Sequence, residues 1–334
     1  MKAIAYRQSL PIDHPDALID VELPTPAIGE HDLLVAVRAV SVNPVDTKVR
    51  RGVAPAADEW KVLGWDAAGE VLQVGSAVRG FAPGDRVWYA GALDRPGSNS
   101  ELQAVDARLV GKMPASLDFA RAAALPLTAI TAWEMLFDRL GLHAGSTGTL
   151  LVVGAAGGVG SILVQLARQL TGLTVVGTAS RPETRAWLQE LGAHAVIDHT
   201  RPLAGELRAA GYAHADYVVS LTQTEQHFPE LVELIAPQGK IALIDDMPSL
   251  DIVPLKRKSV SVHWEMMFTR SLFGTADMAK QGELLGEVAR LVDAGRIRST
   301  LAGHFGRIDA ANLRRAHALI ESGQARGKIV LEGF

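Results

Sequence analysis

Three glycines at a regular spacing stand between a run of Leu and Val and a helical pattern. Gly154, Gly157 and Gly160 are three residues apart. Thr149–Val153 predicts a strand buried on both faces, and Ser161–Leu170 carries one apolar stripe that predicts a helix. Small residues in such a turn let a pyrophosphate approach the backbone and the helix N-terminus. We therefore predict a dinucleotide site, with a purely structural glycine turn as the alternative. The predicted contacts of the turn are Gly154, Ala156, Gly157, Gly158, Val159 and Gly160.

The end of the next predicted strand, Thr174–Gly177, indicates which dinucleotide binds. An NAD site would place an acidic residue there to hold the ribose 2′-hydroxyl. This chain has no acid before Glu183, and it offers Ser180, Arg181 and Arg185 instead. Arginines suit a 2′-phosphate, so we predict NADPH. The alternative is two solvated arginines at the start of a helix.

Composition restricts the classes of function that are open to the chain. Its 334 residues suffice for two domains, and a net charge of −4 gives no reason to expect nucleic acid or an anionic membrane as a partner. It contains no cysteine, which excludes disulfides and thiolate zinc sites. We find no signal-peptide pattern and no uncharged apolar run of 18 residues, so we expect a cytoplasmic protein.

The pattern of predicted secondary structure changes near residue 120. Before it, short alternating segments separated by Pro and Gly predict a β-rich domain, with strands at Lys2–Tyr6, Asp32–Val40, Gly69–Val74 and Arg86–Trp88. After it, strands and helices alternate, which predicts a doubly wound parallel sheet with helix crossovers. Those later strands are predicted at Ala195–Ile197, Tyr217–Ser220 and Lys240–Ile244. The chain then closes with a helix over roughly Thr275–Ala294, a strand at Thr300–His304, a helix at Ala310–Ser322 and a strand at Lys328–Leu331.

With these motifs in view, the chain resembles the medium-chain dehydrogenase/reductase superfamily, in its zinc-free quinone oxidoreductase branch. The resemblance covers essentially the whole length. It is carried by SVNPVDTKVRRG (41–52), GWDAAGEVLQVGSAVRGFAPGDRVW (64–88), LPLTAITAWEML (125–136), GAAGGVGS (154–161) and ESGQARGKIVL (321–331). The stretch SVSVHWEMMFTRS (259–271) is similar to a subgroup described as zinc-type alcohol dehydrogenase-like.

The resemblance implies an α/β protein with two domains. A β-rich GroES-like catalytic domain would comprise residues 1–122 and 265–334, and a Rossmann NADP-binding domain would comprise residues 123–264. The family places the active site in the cleft between them. Zinc-dependent relatives carry a cysteine before the segment 42–46 and Gly-His-Glu where this chain has Gly64-Trp65-Asp66, so catalytic zinc is not expected.

Without zinc, the stabilisation of an alkoxide for alcohol oxidation is harder, whereas hydride addition to a conjugated carbonyl or quinone needs only hydrogen bonds to the developing oxyanion. The resemblance gives Asn43 as the candidate catalytic donor and cofactor contact, with Lys48 as a further donor; a plain Asn-Pro turn is the alternative for Asn43. Asp46 and Asp66 are interpreted as acceptors that organise their loops. By the same resemblance, further cofactor contacts are Thr128, His199, Ser220, Thr222 and Ile244, and the substrate-pocket residues are Trp65, Tyr89 and Trp264.

The sequence thus predicts a zinc-independent, NADPH-dependent reductase of quinones or α,β-unsaturated carbonyls. The alternatives are a zinc-free alcohol or aldehyde oxidoreductase and a non-enzymatic NADPH-binding protein. We also expect a homodimer joined through the Rossmann sheet edge near Ser259–His263, because an unpaired edge strand is otherwise exposed and relatives commonly join there.

Overall fold

The computed structural model describes residues 1–334, and the chain forms two compact units. The first comprises Met1–Ile130 with Phe268–Phe334, and the second comprises Thr131–Met267. The second unit thus begins at Thr131 rather than at residue 123, and it ends at Met267 rather than at residue 264.

The first unit is built on two β-sheets. The smaller sheet has the order β2 (Ile19–Glu22), β1 (Lys2–Tyr6) and β4 (Lys61–Val62). The larger sheet has the order β15 (Leu301–His304), β16 (Lys328–Glu332), β3 (Asp32–Val42), β5 (Ala67–Val74), β6 (Arg86–Tyr89) and β8 (Val110–Lys112), while β7 (Leu102–Asp106) also pairs with β3. Strand β16 runs antiparallel to β3 and pairs Ile329 with Val42, so the C-terminal strand lies beside the end of β3.

Five helices accompany these sheets. They are α1 (Pro44–Gly52), α2 (Phe119–Ala123), α8 (Thr269–Leu272), α9 (Lys280–Asp293) and α10 (Ala310–Glu321). Helix α1 begins where the sequence predicts only a loop. Pro44 supplies the preset φ of a first helical position, and the carboxylate of Asp46 accepts a hydrogen bond from the backbone N–H of Asn43 at 2.7 Å.

The second unit contains a six-stranded parallel sheet. Its order is β11 (Ala195–Ile197), β10 (Thr174–Thr178), β9 (Thr149–Val153), β12 (Ala215–Ser220), β13 (Ile235–Leu243) and β14 (Ser261–Trp264). Its helices are α4 (Gly158–Leu170), α5 (Pro182–Glu190), α6 (Leu203–Ala209) and α7 (Thr224–Leu234). Helix α3 (Pro126–Trp133) contains the boundary between the units and continues as a π-helical turn, Glu134–Arg139. The predicted α/β class, a Rossmann sheet with a GroES-like domain, is confirmed.

Two helices start at other residues than predicted. Helix α4 begins at Gly158 rather than Ser161, because Gly157 is its N-cap and the glycines already form its first turn. Helix α9 begins at Lys280 rather than Thr275. The Thr275 hydroxyl donates to the Asp277 carboxylate at 2.7 Å, and this local contact closes a separate turn before the helix.

Every helix falls short of the length and apolar character that a membrane-spanning segment needs.

Candidate cofactor and active site

Two glycines of the turn in the second unit, Gly154 and Gly160, have no room for a larger side chain. Gly154 has φ +77°, and a Cβ there would lie 2.9 Å from Cγ2 of Thr222. A Cβ on Gly160 would lie 2.4 Å from the carbonyl oxygen of Ala155. The N–H of Gly154 donates to the Thr178 hydroxyl at 3.0 Å, which ties the turn to the end of β10. The turn leads directly into α4, so a bound pyrophosphate would contact the backbone of the turn and the N-terminus of the helix.

This arrangement fits a nicotinamide dinucleotide. Gly154 to Gly160 would hold its pyrophosphate, with Thr222 beside the turn. Ile244 is half-buried and directly follows β13, at the carboxyl end of the parallel sheet where such ligands bind.

Two other predicted contacts have protein neighbours of their own. Ser220 is fully buried, and its hydroxyl lies 2.7 Å from the Thr224 hydroxyl, which in turn contacts Asp245. Ser220 therefore organises the end of β12 in this structure and presents no free hydroxyl. His199 follows β11 and packs edge-on against His227 with ring centroids 6.4 Å apart, and its Nδ1 is buried without a hydrogen-bond partner.

The two arginines predicted to bind the 2′-phosphate, Arg181 and Arg185, have different environments after the end of β10. Arg181 stands at the N-cap of α5 and forms an exposed ion pair with Glu183 at 3.2 Å. Arg185 instead donates to the carbonyl oxygens of Ala179 at 3.1 Å and Val196 at 2.7 Å. The guanidinium of Arg185 thus braces β10 against β11. Arg181, with half-buried Ser180 before it, is the better placed of the two arginines for a phosphate.

In the first unit, Asp66 is the centre of a buried polar cluster. Its Oδ2 accepts hydrogen bonds from the Ser41 hydroxyl at 2.8 Å, from Nδ2 of Asn43 at 2.8 Å and from the Lys328 ammonium at 2.9 Å. Its Oδ1 accepts from the backbone N–H of Leu127 at 2.8 Å. The carboxylate therefore joins the ends of β3 and β16 to the start of α3, the loop-organising role predicted for it.

Asn43 is buried within this cluster. Its Oδ1 accepts a short hydrogen bond from the Lys328 ammonium, and its Nδ2 also lies 3.5 Å from the carbonyl oxygen of Ser41. Asp46 lies nearby. Burial raises the pKa of Asp46 to about 7, while the Asn43 N–H and the charge of Lys328 act in the opposite direction. Lys48 is exposed on α1, outside the buried cluster.

The predicted pocket residues Trp65 and Tyr89 are both buried in the first unit. The Trp65 indole N–H donates to the Ala92 carbonyl oxygen at 3.1 Å, and its ring packs edge-on against Phe268. The Tyr89 hydroxyl has no hydrogen-bond partner, and burial raises the pKa of Tyr89, so the phenol stays protonated. Such an orphaned donor suits the oxygen of a bound ligand. Thr128, also buried, donates its hydroxyl to the Leu125 carbonyl oxygen at 3.0 Å.

Trp264 belongs to the second unit and has a different environment. It ends the edge strand β14, and 56% of its surface is exposed. It lines a shallow groove of about 380 Å³. The other residues of this groove are Met247, Pro248, Ser249, Leu250, Ile252 and Val262. Its position at a sheet edge indicates that Trp264 is a surface residue of the second unit. Its role in the substrate pocket stays a prediction.

The residues at the zinc-ligand positions of the family do not fit zinc. Trp65 offers only an indole N–H, which is already donated, and Asp66 accepts four hydrogen bonds, one of them from an ammonium. The structure contains no group of three or more His, Asp or Glu side chains arranged to hold a metal ion. The positive group that contacts Asp66 is the side chain of Lys328.

Lys328 and Ser41 are the members of this cluster that the sequence did not reveal as site residues. Both lie inside recognised motifs, SVNPVD and ESGQARGKIVL, so the motif was the available signal. What the sequence could not supply is the contact, since Lys328 and Asp66 are 262 positions apart.

Comparison with known proteins places the chain in a family. Residues 29–115 match the alcohol dehydrogenase GroES-like domain, and residues 191–331 match the zinc-binding dehydrogenase domain. A zinc-type alcohol dehydrogenase-like protein of Staphylococcus epidermidis is 37% identical over 99% of both chains. An NADPH-dependent alkenal/one oxidoreductase of Arabidopsis thaliana is 40% identical over 55% of this chain and 49% of its own.

Solved structures agree with this assignment. A candidate zinc-dependent alcohol dehydrogenase from Rhizobium etli CFN 42 is 57% identical with a TM-score of 0.96, over 100% of this chain and 98% of its own. The quinone oxidoreductase of Escherichia coli, in complex with NADPH, is 25% identical with a TM-score of 0.84, over 99% of this chain and 100% of its own. The fold, the dinucleotide turn and these relatives together identify the chain as an oxidoreductase of the medium-chain dehydrogenase/reductase superfamily that uses a nicotinamide cofactor.

Proposed function

We propose that this protein is an NADPH-dependent reductase of quinones or α,β-unsaturated carbonyls that works without zinc. The observation that carries the proposal is at the Gly64-Trp65-Asp66 segment, where zinc-dependent relatives carry Gly-His-Glu. The Trp65 indole offers no metal ligand, and the carboxylate of Asp66 is occupied by the Lys328 ammonium. Without a Lewis acid, reduction of a conjugated system is favoured over oxidation of a simple alcohol, because conjugation spreads the developing negative charge.

The preference for NADPH is supported by the end of β10. No carboxylate precedes Glu183 there, and Arg181 holds a half-exposed guanidinium at the N-terminus of α5. A 2′-phosphate could replace Glu183 as the partner of this arginine through charge-assisted hydrogen bonds. Bound NADPH supplies the hydride, and the protein supplies orientation and the hydrogen bonds to the substrate oxygen.

Two groups of the first unit are proposed as hydrogen-bond donors to that oxygen. The Tyr89 hydroxyl is buried and has no protein partner. Nδ2 of Asn43 makes one firm hydrogen bond, to Asp66, and its other contact, to Ser41, is 3.5 Å long. That second hydrogen is the one a substrate oxygen would accept. The final proton is proposed to come from water, since no carboxyl group is assigned a contact with the substrate.

The test is NADPH oxidation by the purified protein against a matched set of acceptors. Quinones, enones and enals should be reduced, saturated aldehydes and ketones should be reduced at least tenfold more slowly, and NADH should be the poorer cofactor. Equal turnover of enals and saturated aldehydes would favour a carbonyl or alcohol oxidoreductase instead. No oxidation with any acceptor would contradict the proposal.

A further inference from the structure

The Lys328 ammonium is both buried and fully bonded. Only 3% of its side chain is exposed. Nζ donates to Oδ2 of Asp66 at 2.9 Å, to the carbonyl oxygen of Val42 at 3.2 Å and to Oδ1 of Asn43. An ammonium has three hydrogens, and each has an acceptor here. Lys328 is therefore a fixed internal cation with no hydrogen left for a substrate.

The charges of Lys328 and Asp66 determine which way the Asn43 amide points. An ammonium only donates, so the amide atom facing Lys328 is Oδ1, and a carboxylate only accepts, so the atom facing Asp66 is Nδ2. A flipped amide would place its NH2 against the ammonium and its oxygen against the carboxylate. Each of the two charges therefore favours the same orientation of the Asn43 amide independently of the other.

In this orientation Asn43 has one N–H left that can donate to a ligand. Its oxygen is used by Lys328 and one N–H is used by Asp66, so only the second N–H, at 3.5 Å from the Ser41 carbonyl oxygen, can be redirected. A hydrogen bond from a cation to the amide oxygen also polarises the amide and strengthens its N–H as a donor. The site then offers a donor, which matches a carbonyl oxygen that gains negative charge.

We infer that Lys328 is a positioning residue that locks Asn43 as a hydrogen-bond donor for the substrate oxygen. This inference rests on the proposed reduction of conjugated carbonyls or quinones and names the device that tunes the site for it. Lys328 acts through Asn43 and does not itself touch the substrate. A purely structural Lys328 would instead only neutralise Asp66 and stabilise the join between β16 and β3.

A double-mutant cycle separates these two roles. Lys328→Met and Asn43→Ala, each alone, should lower the single-turnover rate of hydride transfer roughly tenfold to a hundredfold, with the Kd for NADPH changed less than about twofold. The double variant should be no slower than Asn43→Ala, because both changes remove the same donor. Lys112→Met, which removes an exposed lysine paired with Asp85 in the same unit, is the matched control and should transfer hydride normally. Multiplying losses in the double variant, or a normal rate in Lys328→Met, would overturn the inference.

Chemical rescue provides a second variant should Lys328→Met fold poorly. Lys328→Ala leaves a space lined by three oxygen acceptors, so methylammonium should restore hydride transfer at least partly, whereas tetramethylammonium, which has no N–H, should not. Equal effects of the two ions would count against a donor that orients the amide.

Amide NMR makes this inference separable from the proposed function. The Nδ2 hydrogens of Asn43 should exchange with solvent at least tenfold faster in Lys328→Met than in the unaltered protein, with or without substrate turnover. Equal exchange in both proteins overturns the positioning role. Faster exchange in the variant, combined with no turnover by the unaltered protein, would uphold the positioning of Asn43 and contradict only the proposed reaction.

Discussion

The ammonium of Lys328 lies 2.9 Å from Oδ2 of Asp66, and both side chains are buried. The pair joins the first residue of the C-terminal strand β16 to the residue before β5, and these two strands flank β3 in the larger sheet of the first unit. Removal of one partner would leave a buried charge, which typically costs about 3–5 kcal/mol. The Lys328 side chain thus occupies the carboxylate of the residue that follows Trp65, the position of a zinc ligand in zinc-dependent relatives.

Arg181→Ala should weaken NADPH binding and spare NADH. One charge-assisted contact is worth roughly 1.5–3 kcal/mol, so the Kd for NADPH should rise about tenfold or more. Arg208, which pairs with Glu233 on exposed helix surfaces of the same unit, is the matched control, and Arg208→Ala should change neither affinity. Titration of both cofactors against each variant decides the point. Equal losses for NADPH and NADH would disprove a 2′-phosphate contact.

Tyr89→Phe should lower turnover without lowering stability. The hydroxyl has no protein partner to lose, so the melting temperature should hold or rise, while turnover should fall roughly tenfold if the group donates to the substrate oxygen. Tyr6→Phe is the opposite case, because that hydroxyl donates to the carbonyl oxygens of Val49 and Val53. Its loss should lower the melting temperature and leave turnover per folded molecule unchanged. Normal turnover in Tyr89→Phe would make Tyr89 a packing residue.

His317 should contribute a loss of stability as the pH drops below about 6.5. Both ring nitrogens of this buried histidine lack partners, and burial, followed by the charge of Arg50, lowers the pKa of His317 to about 3. The unfolded chain takes up a proton near pH 6.5 and the folded chain does not. Each pH unit between 6.5 and 3 therefore removes up to about 1.4 kcal/mol of unfolding free energy.

His317→Leu should flatten that dependence and keep or raise stability at pH 7, since it removes two unpartnered polar atoms. His214→Gln, at an exposed position, is the control and should leave the pH dependence as it is. Urea unfolding at pH 7.0 and 5.0 measures the effect. A variant that loses as much stability on acidification as the unaltered protein would show that another group is responsible.

The protein should be a homodimer joined through β14. This strand pairs only with β13, and apolar side chains are exposed around its other edge, including Trp264 and Ile252. Light scattering at micromolar concentration should give twice the chain mass, and Trp264→Glu should shift the protein to monomer. Phe273→Glu places the same charge on an exposed aromatic of the other unit and should not. A monomeric mass for the unaltered protein contradicts the prediction.

The sequence predicted those parts of the fold that local patterns specify. The strands Thr149–Val153 and Ala195–Ile197 were predicted with their observed bounds because apolar runs are local properties. The glycine turn between β9 and α4 was also predicted, although α4 begins three residues earlier than expected. Helix α1 was missed because its start depends on the cap between Asn43 and Asp46 rather than on an apolar stripe.

Contacts between distant segments could not be predicted. Nothing near Asn43 in the chain indicates that its amide would contact Lys328. Likewise, nothing near Arg185 indicates that its guanidinium would donate to the carbonyl oxygens of Ala179, just after β10, and Val196, in β11. The motifs identified the segments that carry chemistry, and only the packing of strands revealed which side chains meet.

The most direct test of the account is to follow deuterium from NADPH into an enone with metal-free enzyme. The protein is dialysed against a strong chelator, its zinc content is measured, and it then reacts once with NADPH deuterated at the transferable position. We predict well under one zinc per chain, an undiminished single-turnover rate and deuterium at the β-carbon of a saturated ketone. A rate that returns only when zinc is added, or deuterium at the carbonyl carbon of an allylic alcohol, would contradict the account.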